Sequence, residues 1–347
     1  MAEYGPKIDL RRSLLVIAVV VALIGVTVWL LKPELFSQMF EAVRAANGLF
    51  LGLAIATYFL SVVLWTVRWR IAIRSIDSDN PKTSFAALFS IICSAIFLNN
   101  VTPLLHAGGD PFGRVYLVRK LEGVKYSTAI VASVGEHVFA PPIIISFLVA
   151  GLFLRFGEDV LGPAGLLLVI GALVVLGLVL FPRFFIKRMV GVSTLSRLAT
   201  GVARVFGRRI DAQQIAESVS TFYASAYVMM SKRKEVLAIA SLTSLMLVLT
   251  IARFHIVFLA LGYNPRISML LLAASLPTIL GFVPFLPGGL VIVEGSLISV
   301  FVLFGVSLDI ATAATLIERG ISFALSSLVG AVVFVYLGLR MAVKTEN

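Results

Sequence analysis

The chain is 347 residues long, 59% hydrophobic and only 14% charged, with a mean hydropathy of +1.03. Soluble domains carry about 25% charged residues, so a water-soluble globule is excluded, and apolar runs spread from one end to the other predict an all-α, polytopic integral membrane protein. Against 18 Asp and Glu stand 29 Lys and Arg, a net charge of +11 that falls mostly between the apolar runs; cytoplasmic retention and anionic lipid explain it there, and no nucleic-acid partner is expected.

In chain order, Lys7, Arg11 and Arg12 precede an apolar run from Ser13 to Leu31, long enough to remain as a span rather than leave as a signal peptide. Further runs cover Gly48 to Val67, Ser84 to Asn99, Ser127 to Leu154, Gly162 to Phe181, Val236 to Leu261, Ser268 to Phe285, Leu290 to Phe304 and Ile310 to Leu339. The run from Ser84 holds the single cysteine, Cys93, which excludes a disulfide framework and a cysteine zinc site. Between Phe181 and Lys234 lies the one long polar region. Its first half interleaves Phe184, Phe185, Val190 and Leu195 with Arg183, Lys187, Arg188 and Arg197, a basic amphipathic stretch suited to anionic headgroups or to plain connection. A helix with Ile215, Val219, Phe222 and Ala226 on one face follows it.

Loop charge sets the orientation. With the N- and C-termini and the loops after Val67, Asn99 and Phe181 placed in the cytoplasm of a cell membrane, only Lys32, Arg44, Arg155 and Arg266 are outside, and Arg253 and Arg319 stay within spans. The loops on both sides of Ser84 to Asn99 are then cytoplasmic, which one crossing cannot satisfy. A re-entrant hairpin that breaks at Asn99 to Asp110 and returns through Phe112 to Val118 resolves the parity. The runs from Ser268 and Leu290, broken at Val283 to Gly289, form a second such hairpin from the outer side.

An internal repeat supports two halves. Gly123, Val124, Ala129, Ala132, Ser133 and Glu136 recur at the same offsets as Gly305, Val306, Ala311, Ala314, Thr315 and Glu318. Upstream of each copy stand a proline and a Gly-Gly pair, Pro103 with Gly108-Gly109 and Pro284 with Gly288-Gly289. The loop charges send the two copies across in opposite directions, so the repeat is expected to be inverted, a transporter design with its site between the halves. The expected organisation is one transmembrane domain over 1–347, with a first repeat at 48–154, a connecting span and basic region at 155–235, and a second repeat at 236–347.

An ionisable residue at the centre of a span costs about 2.5–3.5 kcal/mol on insertion scales, so those retained need partners or a function. His106, Asp110, Arg114, Glu136, His137, Arg253, His255, Glu294, Glu318 and Arg319 are such residues. Neighbours on a helix diverge by about 100°, so Glu136 and His137, like Glu318 and Arg319, must find partners on other elements. One reading is a polar cavity whose guanidinium and imidazole groups hold a phosphate. The other is a set of ion pairs locking hairpins to long helices. Prolines and glycines at the breaks, with the amides of Asn99 and Asn100, would present unpaired N–H groups to an anion. No P-loop or dinucleotide fingerprint is present, and neither a cofactor nor a bound metal is expected.

At these residues the sequence resembles the family of lysylphosphatidylglycerol synthase transmembrane regions, the flippase-like domain proteins. The resemblance rests on Pro103, Gly108-Gly109-Asp110, Arg114 and Glu136, then on Pro287-Gly288-Gly289 with Glu294 and the later Arg319. It implies a lipid-translocating domain without the lysyl-transferase domain of larger members. An arginine commonly follows the first glutamate in that family; here His137 stands there, and protonation-dependent binding is the expectation that follows. The residues expected to bind substrate are therefore Asn99, Asn100, Pro103, His106, Gly108, Gly109, Asp110, Arg114, Glu136, His137, Arg253, Pro287, Gly288, Gly289, Glu294, Glu318 and Arg319. The expected partner is a membrane lipid: an anionic phospholipid, an aminoacyl-lipid or a lipid-linked sugar. A separately encoded synthase or glycosyltransferase, or further copies of the chain, would be protein partners. A membrane-embedded headgroup enzyme using His106, Asp110 or His137 as acid and base, and a scaffold that transports nothing, are the alternatives. Single cysteines at Ser78 and Lys120 in a Cys93→Ala background should react with an impermeant reagent from the same side, and one at Tyr263 from the other; labelling of Ser78 and Lys120 from opposite sides overturns the hairpin.

Overall fold

The computed structural model describes residues 41, 43–76, 83–102, 108–137, 139–156, 212–280 and 292–346. The expected spans from Ser13 and from Gly162, the first half of the basic connector, and residues 103–107 and 281–291 of the two breaks lie outside these. Among the described residues every regular element is a helix. The first half runs α1 (Gly48–Ile76), α2 (Phe85–Val101), α3 (Phe112–Glu122), α4 (Tyr126–Gly135) and α5 (Ala140–Phe156). After α6 (Ala212–Ser231) the second half gives the same order: α7 (Arg233–Ala260), α8 (Ile267–Leu280), α9 (Ile292–Leu303), α10 (Leu308–Arg319), a π-helical turn (Gly320–Leu325) and α11 (Ser326–Glu346).

Four helical stretches are long and apolar enough to cross a membrane: Gly48–Ile76, Tyr126–Arg155, Arg233–Ala260 and Leu308–Met341. Their outward faces carry Leu49, Leu53, Leu60, Leu237, Leu245, Val248, Leu328 and Val332. A helix that is apolar all round suits lipid, not water.

Packing between elements has a two-fold pattern. α2 lies along α11 and α8 along α5; α3 meets α4 as α9 meets α10; α1 meets α4 as α7 meets α10. The two long helices of the halves, α1 and α7, pack on each other and run antiparallel. Asn47, just before α1, donates its N–H to Ala260 at the end of α7 (2.9 Å), Arg253 lies over the Tyr58 ring (5.2 Å), and Arg68 reaches Thr243 Oγ1 (3.1 Å). Residue numbers fall along one helix as they rise along the other.

The repeated residues explain themselves in this arrangement. Gly123 and Gly305 both end a helix at positive φ, 72° and 85°, a region open to glycine and strained for other residues. Ala129, Ala132, Ser133 and Glu136 are spaced i, i+3, i+4 and i+7, one face of α4 and the turn after it, and all are buried. Ala311, Ala314, Thr315 and Glu318 form the same buried face of α10.

α2 and α3 form a hairpin of helices. At its open end the Ser84 N–H donates to Glu122 Oε2 (2.8 Å). At the broken end Asn99 Oδ1 accepts both the Gly109 and the Asp110 N–H (2.9 Å each), satisfying backbone that the break left unpaired. A Cβ on Gly109 would run into the Ala95 carbonyl oxygen, so the chain passes α2 at a distance that only glycine permits.

The run expected as a span from Ser127 to Leu154 falls within Tyr126–Arg155, one of the four spanning stretches, and is built of two helices with a turn at Glu136 and His137. Pro141 and Pro142 account for it: neither can donate an N–H to the preceding turn, and both are tolerated in the first turn of α5. The second half has no prolines here and keeps its helix, taking up the same stretch with the π-helical turn. Gly330 of α11 packs where a Cβ would meet the Cys93 carbonyl oxygen and, at 2.7 Å, Phe97 Cβ of α2. Gly330→Ala should therefore lower stability in detergent by about 1–3 kcal/mol. Gly52→Ala, with nothing within 4 Å, should raise it by up to about 1 kcal/mol; unfolding curves of the two variants check the contrast.

Candidate functional site

Trp65, Arg68 and Trp69 occupy one face of α1 at i, i+3 and i+4. The sequence reading placed Arg68 in a cytoplasmic loop. The structure corrects this: α1 continues nine residues past Val67, and Arg68 is buried within it. Its guanidinium donates through Nε to Glu136 Oε2 (3.2 Å) and through Nη1 to Thr243 (3.1 Å). Glu136 also accepts from Arg114 Nη1 (2.7 Å) and from the Trp65 indole (2.9 Å). Arg114, at zero exposure, grips Asp110 Oδ1 one helical turn back, through Nε at 3.0 Å and through Nη2. The Trp65 and Trp69 rings stand 5.2 and 4.7 Å from that guanidinium. His137 completes the cluster, its Nε2 2.7 Å from Asp110 Oδ2 and 3.7 Å from Glu136, with 45% of its side chain exposed.

A second cluster forms at the equivalent place. Arg253 of α7 holds Glu318 by two parallel bonds of 2.8 Å, and its charge lies over Tyr58 of α1. Arg68 and Arg253 each stand twenty residues into their helices, so the two long helices supply matching guanidiniums to matching glutamates. Arg319 pairs with Glu294 at the start of α9, as His137 pairs with Asp110. The Asn100 amide reaches Ser327 Oγ (2.8 Å), with Ser326 Oγ and the Phe323 carbonyl at 3.4 and 3.5 Å, tying α2 to the π-helical turn.

Asp110, Arg114, Glu136 and His137 thus meet in one cluster, with Asn99 shaping the break beside it. Arg253 with Glu318, and Arg319 with Glu294, are two pairs on neighbouring residues of α10 and make up the other group. Gly108 and Gly109 sit in the turn leading into α3. Pro103, His106, Pro287, Gly288 and Gly289 lie outside the described residues. Tyr58, Trp65, Trp69, Thr243, Ser326 and Ser327 were missed. A Trp-x-x-Arg-Trp pattern within an apolar helix was the available signal for Trp65 and Trp69, and for Arg68 between them, since it puts a guanidinium and two indoles on one face.

Asp110, Glu136 and His137 bring possible metal ligands within 4.8 Å of one another. Both carboxylates are already neutralised by Arg68 and Arg114 at ion-pair distance. A divalent cation would face two fixed positive charges, so the donor set fits an ion-pair network better than a metal centre.

The family model of the lysylphosphatidylglycerol synthase transmembrane region matches residues 14–330. The chain belongs to this family. Among its relatives is a UPF0104 membrane protein of Methanothermobacter thermautotrophicus, 29% identical over 95% of this chain and 93% of its own length. A second from the same organism is 28% identical over 96% and 98%, and one from Pyrococcus horikoshii is 25% identical over 92% and 96%. No solved structure matches the chain.

Breaking a buried pair strands a charge, whereas removing both partners does not. Arg253→Met should therefore destabilise this family member by about 3–5 kcal/mol, and adding Glu318→Leu should recover most of the loss. A double-mutant cycle of unfolding in detergent measures both.

Proposed function

We propose that the protein is a flippase-like lipid translocator that binds an anionic or aminoacylated phospholipid between two inverted repeats. The observation that carries this reading is the antiparallel pairing of α1 and α7 with one ion-pair cluster toward each end. Tyr58 and Arg68 are ten residues apart, so the clusters lie about 15 Å apart along the helices, against a hydrocarbon core of about 30 Å. Two closures at opposite depths flanking a midplane are what alternating access requires. The hairpins α2–α3 and α8–α9 then enter from opposite faces, with cytoplasmic termini in a cell membrane. The family's description, which names a lipid synthase region, supports a lipid headgroup as ligand.

The residues named above act here as gates and headgroup ligands. Arg114 and Arg319 meet a phosphate by exchanging a carboxylate for it, which keeps each guanidinium paired throughout. Asn99, Asn100 and the glycines of the breaks offer amide and backbone donors. Protein reconstituted into vesicles containing fluorescent phosphatidylglycerol should speed its exchange between leaflets without altering the headgroup. Headgroup turnover would instead mark an enzyme, and neither result a scaffold.

A further inference from the structure

Charge bookkeeping across the two clusters separates them. In the first, Arg68 and Arg114 balance Asp110 and Glu136; in the second, Arg253 and Arg319 balance Glu318 and Glu294. With His137 neutral both are neutral, and a lipid monoanion entering either would leave one negative charge unmatched in a low-dielectric setting. Among the described residues, the first cluster holds an imidazole, His137, that can take up a proton without breaking a carboxylate–guanidinium pair, and the second holds none.

His137 is also the accessible member. Its side chain is 45% exposed while those of Arg114 and Glu136 are 0% exposed, and its Nε2 already points at Asp110. The charged groups facing it are Asp110 from the break before α3, Glu136 beside it, and behind these Arg114 of α3 and Arg68 of α1. Trp65 of α1 presents its ring edge to the imidazole at 6.4 Å. α6 packs on α4 through Met229 against Gly135, an apolar contact. The equivalent position in the second half is Arg319, whose charge is permanent.

We propose that the Asp110–His137 pair is a proton-binding site and that one proton enters it for each phosphodiester monoanion the first cluster admits. This deepens the translocation reading and rests on it: it commits the substrate to net negative charge and makes its movement electroneutral. A cationic aminoacyl headgroup would be repelled by the protonated cluster.

The full chain in vesicles of phosphatidylcholine and phosphatidylglycerol, with a trapped pH dye and fluorescent phosphatidylglycerol, tests this. Leaflet exchange should rise several-fold from pH 7.5 to pH 6, because an imidazole, unlike a guanidinium, can take up a proton in this range. Protons should accompany the lipid one for one, and an imposed potassium diffusion potential should leave the rate unchanged. His137→Gln should slow exchange and flatten its pH response. His137→Arg, permanently charged, should be pH-flat, move no protons and become sensitive to the potential. Exchange of phosphatidylglycerol without proton movement or pH response overturns the coupling and leaves the translocation reading standing. Equal proton-linked exchange of fluorescent phosphatidylcholine overturns the commitment to a monoanion. If no lipid is exchanged at any pH, both readings fall.

Discussion

A charge inside a bilayer must be neutralised by the protein that carries it, because neither lipid nor water is there to do so. Most features of this fold follow from that constraint. The long helices α1 and α7 are apolar enough to span, yet each carries a buried arginine, and each arginine fixes a glutamate belonging to the span-forming stretch of its own half. The glutamates end the repeated faces of α4 and α10. That is why the internal repeat reads as small residues closing on an acid: alanines, serine and threonine let these stretches approach the long helices closely enough for the pair to form.

α1 serves both halves. Its face around Trp65 and Arg68 supplies the first cluster, and Tyr58, almost three turns earlier, lies under Arg253 of the second. Thr243 returns the favour from α7. Any rocking of the halves about the α1–α7 contact must keep these cross-half contacts or exchange them.

Loop charge, periodicity and the repeat made the class, the helical character and the acidic members of both clusters legible in the sequence. The partners were less so. Arg68 looked like a loop residue because basic residues follow a hydrophobic run on the cytoplasmic side in any membrane protein, and hydropathy has no means of telling a continuing helix from its end. Trp65, Trp69 and Tyr58 were invisible for another reason: an aromatic in an apolar helix is ordinarily lipid-facing or core, and only tertiary contact shows that it caps a guanidinium. The turn at Glu136 was legible in principle, since Pro141 and Pro142 interrupt the helix there, but a largely apolar run from Ser127 to Leu154 outweighed two prolines.

The two halves are alike in plan and unlike in how their charges are distributed among moving parts. Asp110 and Arg114, one turn apart, both belong to the α2–α3 hairpin, and Arg114 also pairs with Glu136 at 2.7 Å, so the first cluster joins this hairpin to the end of α4 while Arg68 and Glu136 pair with each other. Hairpin α8–α9 contains a single ionisable side chain within its helices, Glu294, and its partner Arg319 belongs to α10. Similar sequence in the two halves thus places its ion pairs differently: partly within one hairpin in the first, and between α9 and α10 in the second.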